Sequence, residues 1–215
     1  NKQTSIDNFA IELPETSLKM DTIHLVYDSL QAFEHFAEEV HFSFRTLPSQ
    51  ITLKDISPFV PVLSHFKEPI TLDMEVKGTV DQLNCSHLEI VSEEQQFRLR
   101  GDVSLQDLSH PQDAYVYGTL SELSANTRGV GFLVRNLNPD YNGVPPILER
   151  LGNISFRGEI SGYFTDLVTY GQLRTSLGDV KTDLKLSADK SKGLFAYSGA
   201  VKTTDFKLGE LLANE

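Results

Sequence analysis

Tryptophan is absent from this chain, and cysteine occurs once, as Cys85. A single cysteine excludes an intrachain disulfide and leaves the redox compartment undecided. The lack of indole rings counts against a carbohydrate-binding role, because sugars commonly stack on them. Basic residues are scarce: 19 Lys and Arg stand against 30 Asp and Glu, a formal net charge of −11. Nucleic acid and anionic membrane surfaces call for clustered Lys and Arg, and no cluster occurs, so neither is expected as a partner. No apolar run is long enough to span a bilayer, and there is no signal peptide. The chain starts at Asn1 rather than Met and stops just as a helical pattern begins at 205–212. It reads as a piece of a longer protein, so a missing targeting segment says nothing of location.

What is present is a repeated strand phrase. In Asn153 to Gly178, Ile154, Phe156, Ile160 and Phe164 fall on one parity, and Ser155, Arg157, Glu159 and Ser161 on the other. That is the period of a strand with one buried face. Thr165-Asp166 predicts a turn into a partner strand from Leu167. Gly158 and Gly162 sit on the apolar parity, where a glycine marks a bend or a close approach.

The phrase recurs at 74–80, 97–103, 115–120 and 195–201. In each copy a glycine (Gly78, Gly101, Gly118, Gly199) shares parity with the apolar residues. The pattern predicts one apolar face with glycine notches at its floor. Its lining would be Phe97, Leu99, Val103, Val116, Leu120, Phe156, Ile160, Phe164, Tyr197 and Val201.

The fold expected is mainly β: a curved antiparallel meander sheet, a taco-like groove or open barrel, with a few short helices. Strands are expected at 4–13, 18–27, 41–45, around 51–53, 70–80, 83–92, 97–105, 115–123, 153–164, 167–176, 180–187 and 194–203. Residues 28–39 fit either a helix or a loop that drops Phe33 and Phe36 onto the sheet. Ser57-Pro58 predicts a short helix over 57–66. Residues 124–152 read as a helical insertion, with Val130, Leu133, Val134 and Leu137 at helical spacing and a further turn from Pro145-Pro146. The whole, 1–215, reads as a single β-rich domain.

No catalytic grouping follows from spacing, and the chain is expected not to be an enzyme. Glu34-His35, Glu38-Glu39 and His41 are metal-ligand types without a metal-site spacing, so no metal or cofactor is expected. Arg100-Gly101-Asp102 spells an adhesion tripeptide but lies inside a repeated strand. Asn153-Ile154-Ser155 fits a glycosylation sequon inside another.

The phrase Leu47 to Pro61, the Gly101-Asp102-Val103 copy, Gly152 to Leu167 and the closing Thr204 to Leu212 resemble the periplasmic AsmA-like and TamB group, the translocation and assembly module. The resemblance covers nearly the whole chain, through loose β-phrases rather than catalytic signatures. It implies a periplasmic segment of an inner-membrane-anchored protein, with an apolar β-groove for phospholipid acyl chains. It also implies a link to phospholipid transport, outer-membrane biogenesis and protein secretion. The anchor is absent here, and outer-membrane assembly proteins would be met by other parts of the full-length chain. The alternative is a periplasmic or surface β-domain that binds carbohydrate or protein through its loops.

Overall fold

The computed structural model describes residues 1–58, 61–110, 112–137, 144–189 and 194–212. At 56, 61, 62, 93, 137, 188, 189, 194, 195 and 197 it describes the backbone alone. Twelve strands form one antiparallel sheet that is not a closed barrel. They are β1 (Lys2–Glu12), β2 (Ser17–Tyr27), β3 (His41–Arg45), β4 (Ser49–Thr52), β5 (Pro69–Gly78), β6 (Gln82–Ser92), β7 (Phe97–Gln106), β8 (Tyr115–Ala125), β9 (Ile154–Tyr163), β10 (Asp166–Thr175), β11 (Gly178–Asp189) and β12 (Leu194–Thr204). From β5 onward every strand pairs with the next in sequence, through short links except between β8 and β9, which pair across the helical insertion.

One departure from the simple meander has a clear cause. β3 and β4 share one slot between β2 and β5, β3 at one end and β4 at the other. At the junction, side chains stand in for the broken ladder. Thr46 is 1% exposed; its Oγ1 accepts the Met74 N–H at 2.8 Å and donates to the Met74 carbonyl at 3.3 Å. Ser49 Oγ accepts the Lys19 N–H at 2.9 Å and donates to the Leu47 carbonyl at 2.6 Å.

The helices gather mostly at one end of one sheet face. They are α1 (Phe36–Glu39), α2 (Thr127–Leu137), α3 (Pro146–Leu151) and α4 (Leu208–Leu212), with 3-10 turns at Leu30–His35, Leu53–Ile56, Pro61–His65 and Glu93–Gln95. The helix expected over 57–66 is instead the single 3-10 turn Pro61–His65, preceded by another at Leu53–Ile56. Phe59 and Val60 of that expectation lie outside the described residues. Phe132 on α2 meets Phe66 edge-on at 5.6 Å between ring centroids and Phe97 at 6.0 Å. Ile51, Leu53, Ile70, Leu72, Ala125 and Val130 complete this buried cluster. Phe132 was not among the residues expected to face the sheet, yet it is the ring that joins helix to strand. Leu137, which was, has no described side chain.

The segment 28–39 proves to be both things the sequence allowed. It coils as the 3-10 turn Leu30–His35 and then α1, and it lays rings along the sheet end. Phe33 meets Tyr27 at 4.8 Å, Phe36 stacks with Phe42 at 6.2 Å, and Phe42 with Phe44 at 6.1 Å. Fully buried Val40 and Ala32 pin the segment down.

Candidate functional site: the apolar face of the sheet

Cross-strand register sorts the residues onto two faces. On the inner face, where the helices sit, one row runs Phe44, Val76, Cys85, Val103, Gly118, Ile160, Thr169, Leu184 and Gly199, each directly opposite the next. The next row runs Gly78, Leu83, Leu105, Val116, Gly162, Leu167 and Leu186. A third runs Leu88, Gly101, Leu120, Gly158, Gly171, Thr182 and Val201. Direct cross-strand pairs like these are the unit of sheet stabilisation.

The outer face carries the charges, with exposed Tyr117, Val168 and Tyr170 among them. Glu89, Arg100 and Glu122 stand opposite one another, with Arg100 bonded to Glu89 at 2.7 Å and 3.7 Å from Glu122. Arg45 lies 3.9 Å from Asp73, and Lys185 2.8 Å from Asp166. Hydrogen bonds from Lys185 and then Ser187 hold the Asp166 carboxyl below its ordinary value, and one from Lys77 does the same for Glu75. These are solvent-screened pairs. They keep one side of the sheet wet and add little stability.

Eight of the ten expected lining residues share the inner face, but they are not equally reachable. Phe97 is 6% exposed because α2 covers it. Leu120 is 4% exposed, packed beside Gly101, where a Cβ would come 3.2 Å from Leu120 Cδ2. Phe156 is 9% exposed because its ring lies down on the sheet over Gly158 and Gly171. Leu99 is half-buried against the helix-covered cluster. These four are core, not open surface. Val103, Val116 and Ile160 are half-buried, and Val201 on the edge strand is 58% exposed.

Phe164 does not line the face: β9 ends at Tyr163 opposite Asp166, so Phe164 falls in the hairpin turn. The turn therefore sits at 164–165, one residue earlier than expected. The Tyr197 backbone pairs with Leu186, and its side chain lies outside the described residues. Gly78 is not a mid-strand notch but the end of β5, with φ +127°.

Several inner-face residues escaped the parity argument. A bulge in β6 between Cys85 and Leu88 and one in β8 between Leu120 and Leu123 each shift the alternation. Leu88, Ile90, Leu123 and Ala125 consequently join the inner face on the opposite parity. Gly171, Leu173 and Leu184 were missed for a simpler reason: their strands carry no copy of the repeated phrase.

Cys85 lies on this face, and burial pushes its thiol up to about 11. Among the described residues, no three His, Cys, Asp or Glu side chains gather as a metal-binding group. No helix among them is long and apolar enough to cross a membrane.

No family model, curated protein or solved structure matches the chain.

Proposed function

We propose that this chain is a segment of a phospholipid-conducting β-trough of the AsmA-like and TamB kind. In this reading it works in the periplasm within a longer, inner-membrane-anchored protein. It contacts acyl chains itself and leaves outer-membrane assembly partners to other parts of that protein. It performs no covalent chemistry and needs no cofactor.

The observation that carries the reading is the one-sidedness of the open half of the sheet. Val103, Leu105, Val116, Ile160, Leu167, Leu184 and Leu186 sit half-exposed on one face, beyond the helix-covered cluster. The other face mixes exposed Tyr117, Val168 and Tyr170 with ion pairs such as Lys185–Asp166, and the charged side chains of the open half are confined to it. An apolar surface that is neither buried nor interrupted by charge suits hydrocarbon, since burying each methylene is worth about 0.8 kcal/mol. The headgroup stays in water, so the net charge of −11 does not oppose it.

The test is organic extraction of the purified protein followed by lipid mass spectrometry, on wild type and Ile160→Asp. Wild type is expected to carry phospholipid. Ile160 is half-exposed, so the variant is expected to fold while losing the lipid, because water reaches the new carboxylate. An unfolded Ile160→Asp would mean a closed core at this position and would end the trough reading there.

A further inference from the structure

β1 is one edge of the sheet and pairs with β2 alone among the described residues. Its side chains are exposed from Lys2 to Ala10. Edge strands are usually blunted by proline, by lysine or by a covering loop. Between Gln3 and Glu12 there is neither proline nor lysine. Ile6 and Phe9 stand there instead, 39% and 37% exposed.

β1 changes face half-way along. Thr4 and Ile6 stand opposite Leu25 and Ile23, and Leu25 is opposite Phe42, which leads into the inner-face row from Gly78. Phe9 and Ile11 stand opposite Met20 and Leu18. Met20 is buried and bridges to Thr46, and Leu18 packs on the helix-covered cluster, so these too are inner-face residues. Ile6 and Phe9 therefore share a face although three positions apart. The switch falls at Asn8, whose φ is +54°, a backbone that Asn holds more readily than most residues.

Opposed residues in an antiparallel pair share a face. A strand added along β1 keeps apolar against apolar on both sides of Asn8 only if it carries a matching switch. β1 of a second copy carries one. With a twofold axis between Asp7 and Asn8, Ile6 meets the partner's Phe9 and Thr4 meets the partner's Ile11. Asp7 then meets the partner's Asn8, and Glu12 the partner's Gln3, so no like charges are opposed. Moving the axis onto Asp7 would set two carboxylates against each other. Strand direction favours the same pairing. Every step from β1 to β12 is antiparallel, so β1 and β12 run the same way. Joining β12 of one copy to β1 of another in a continuous sheet would be parallel, the less stable pairing per residue. Joining β1 to β1 is antiparallel and keeps both inner faces on one side.

We propose that the β1 edge is an interaction surface for a second copy of this chain, joined strand to strand about a twofold axis between Asp7 and Asn8. The inference concerns the edge of the sheet and does not rest on the trough reading.

The experiment is sedimentation equilibrium of the full chain and of Ile6→Lys and Phe9→Glu. Both positions are exposed on the edge, so each variant is expected to keep the wild-type circular dichroism. Wild type is expected to sediment as a dimer. Each variant alone sets a charge against an apolar side chain at two symmetry-related contacts, and its dissociation constant should rise at least about tenfold. An equimolar mixture of the two should regain the wild-type dimer. In this register the introduced lysine faces the introduced glutamate, while Phe9 of one chain still faces Ile6 of the other. Thr4→Lys with Ile11→Glu, opposed in the same register, replaces the pair if either variant fails to fold. A monomeric wild type would overturn the inference and leave the edge to a strand of another sequence. So would a dimer that either variant leaves intact, or a mixture of two monomeric variants that stays monomeric.

Discussion

Gly158 and Gly171 face each other directly across β9 and β10, and the ring of Phe156 lies over both. A Cβ on Gly171 would stand 2.6 Å from Phe156 Cζ, and one on Gly158 2.8 Å from the same atom. The paired glycines make a hollow, and an aromatic ring from two residues along the same face fills it. Phe156 is 9% exposed in this position.

Alanine at either glycine should therefore be costly. The new methyl meets a fixed carbonyl oxygen and the ring together, so neither a rotamer change nor a small ring shift relieves it. Overpacking of this kind costs about 1–3 kcal/mol. Denaturant unfolding of Gly171→Ala is expected to show a loss in that range. A variant as stable as wild type would show that the ring is not held against the strand.

Thr46 carries the junction of β3 and β4 through one hydroxyl. Thr46→Val keeps the shape but leaves the Met74 N–H without the acceptor it has at 2.8 Å. The site is 1% exposed, so water does not replace the hydroxyl. The expected cost is about 1–3 kcal/mol, the penalty of an unpaired buried donor. Hydrogen exchange at Met74 should accelerate with it. An unchanged exchange rate would mean that the Met74 amide finds another partner.

Cys85 reports on the inner face without any substitution. Burial raises its thiol from an ordinary 9.0 to about 11, which lowers the thiolate fraction near neutral pH about a hundredfold before access is considered. Reaction with an aromatic disulfide at pH 8 is expected to be at least about tenfold slower in the native protein than in denaturant, because the greater nucleophilicity of the more basic thiolate offsets part of the lost fraction. A rapid native reaction would show that solvent reaches the row from Val76 to Val103.

Alternation of side chains is a local property, and it made the strands legible. The apolar parity of Phe156 and Ile160 follows from backbone geometry alone, so the strands and their inner face could be read off residue by residue. The helical spacing in 127–137 could be read the same way. Tertiary structure decided what that logic cannot reach. Bulges reset the parity, so Leu120 and Leu123 share a face although three residues apart. Phe164 lost its place because the turn consumed it. Whether an inner-face residue is core or open surface depends on what packs above it. α2 covers Phe97, the glycine pair receives Phe156, and Ile160 is left half-exposed. Among the glycines, those the backbone requires look identical in sequence to Gly118, where a Cβ would meet only ordinary contacts. Only the distance from each missing Cβ to the neighbouring strand tells them apart, because that distance is set by residues more than ten positions away.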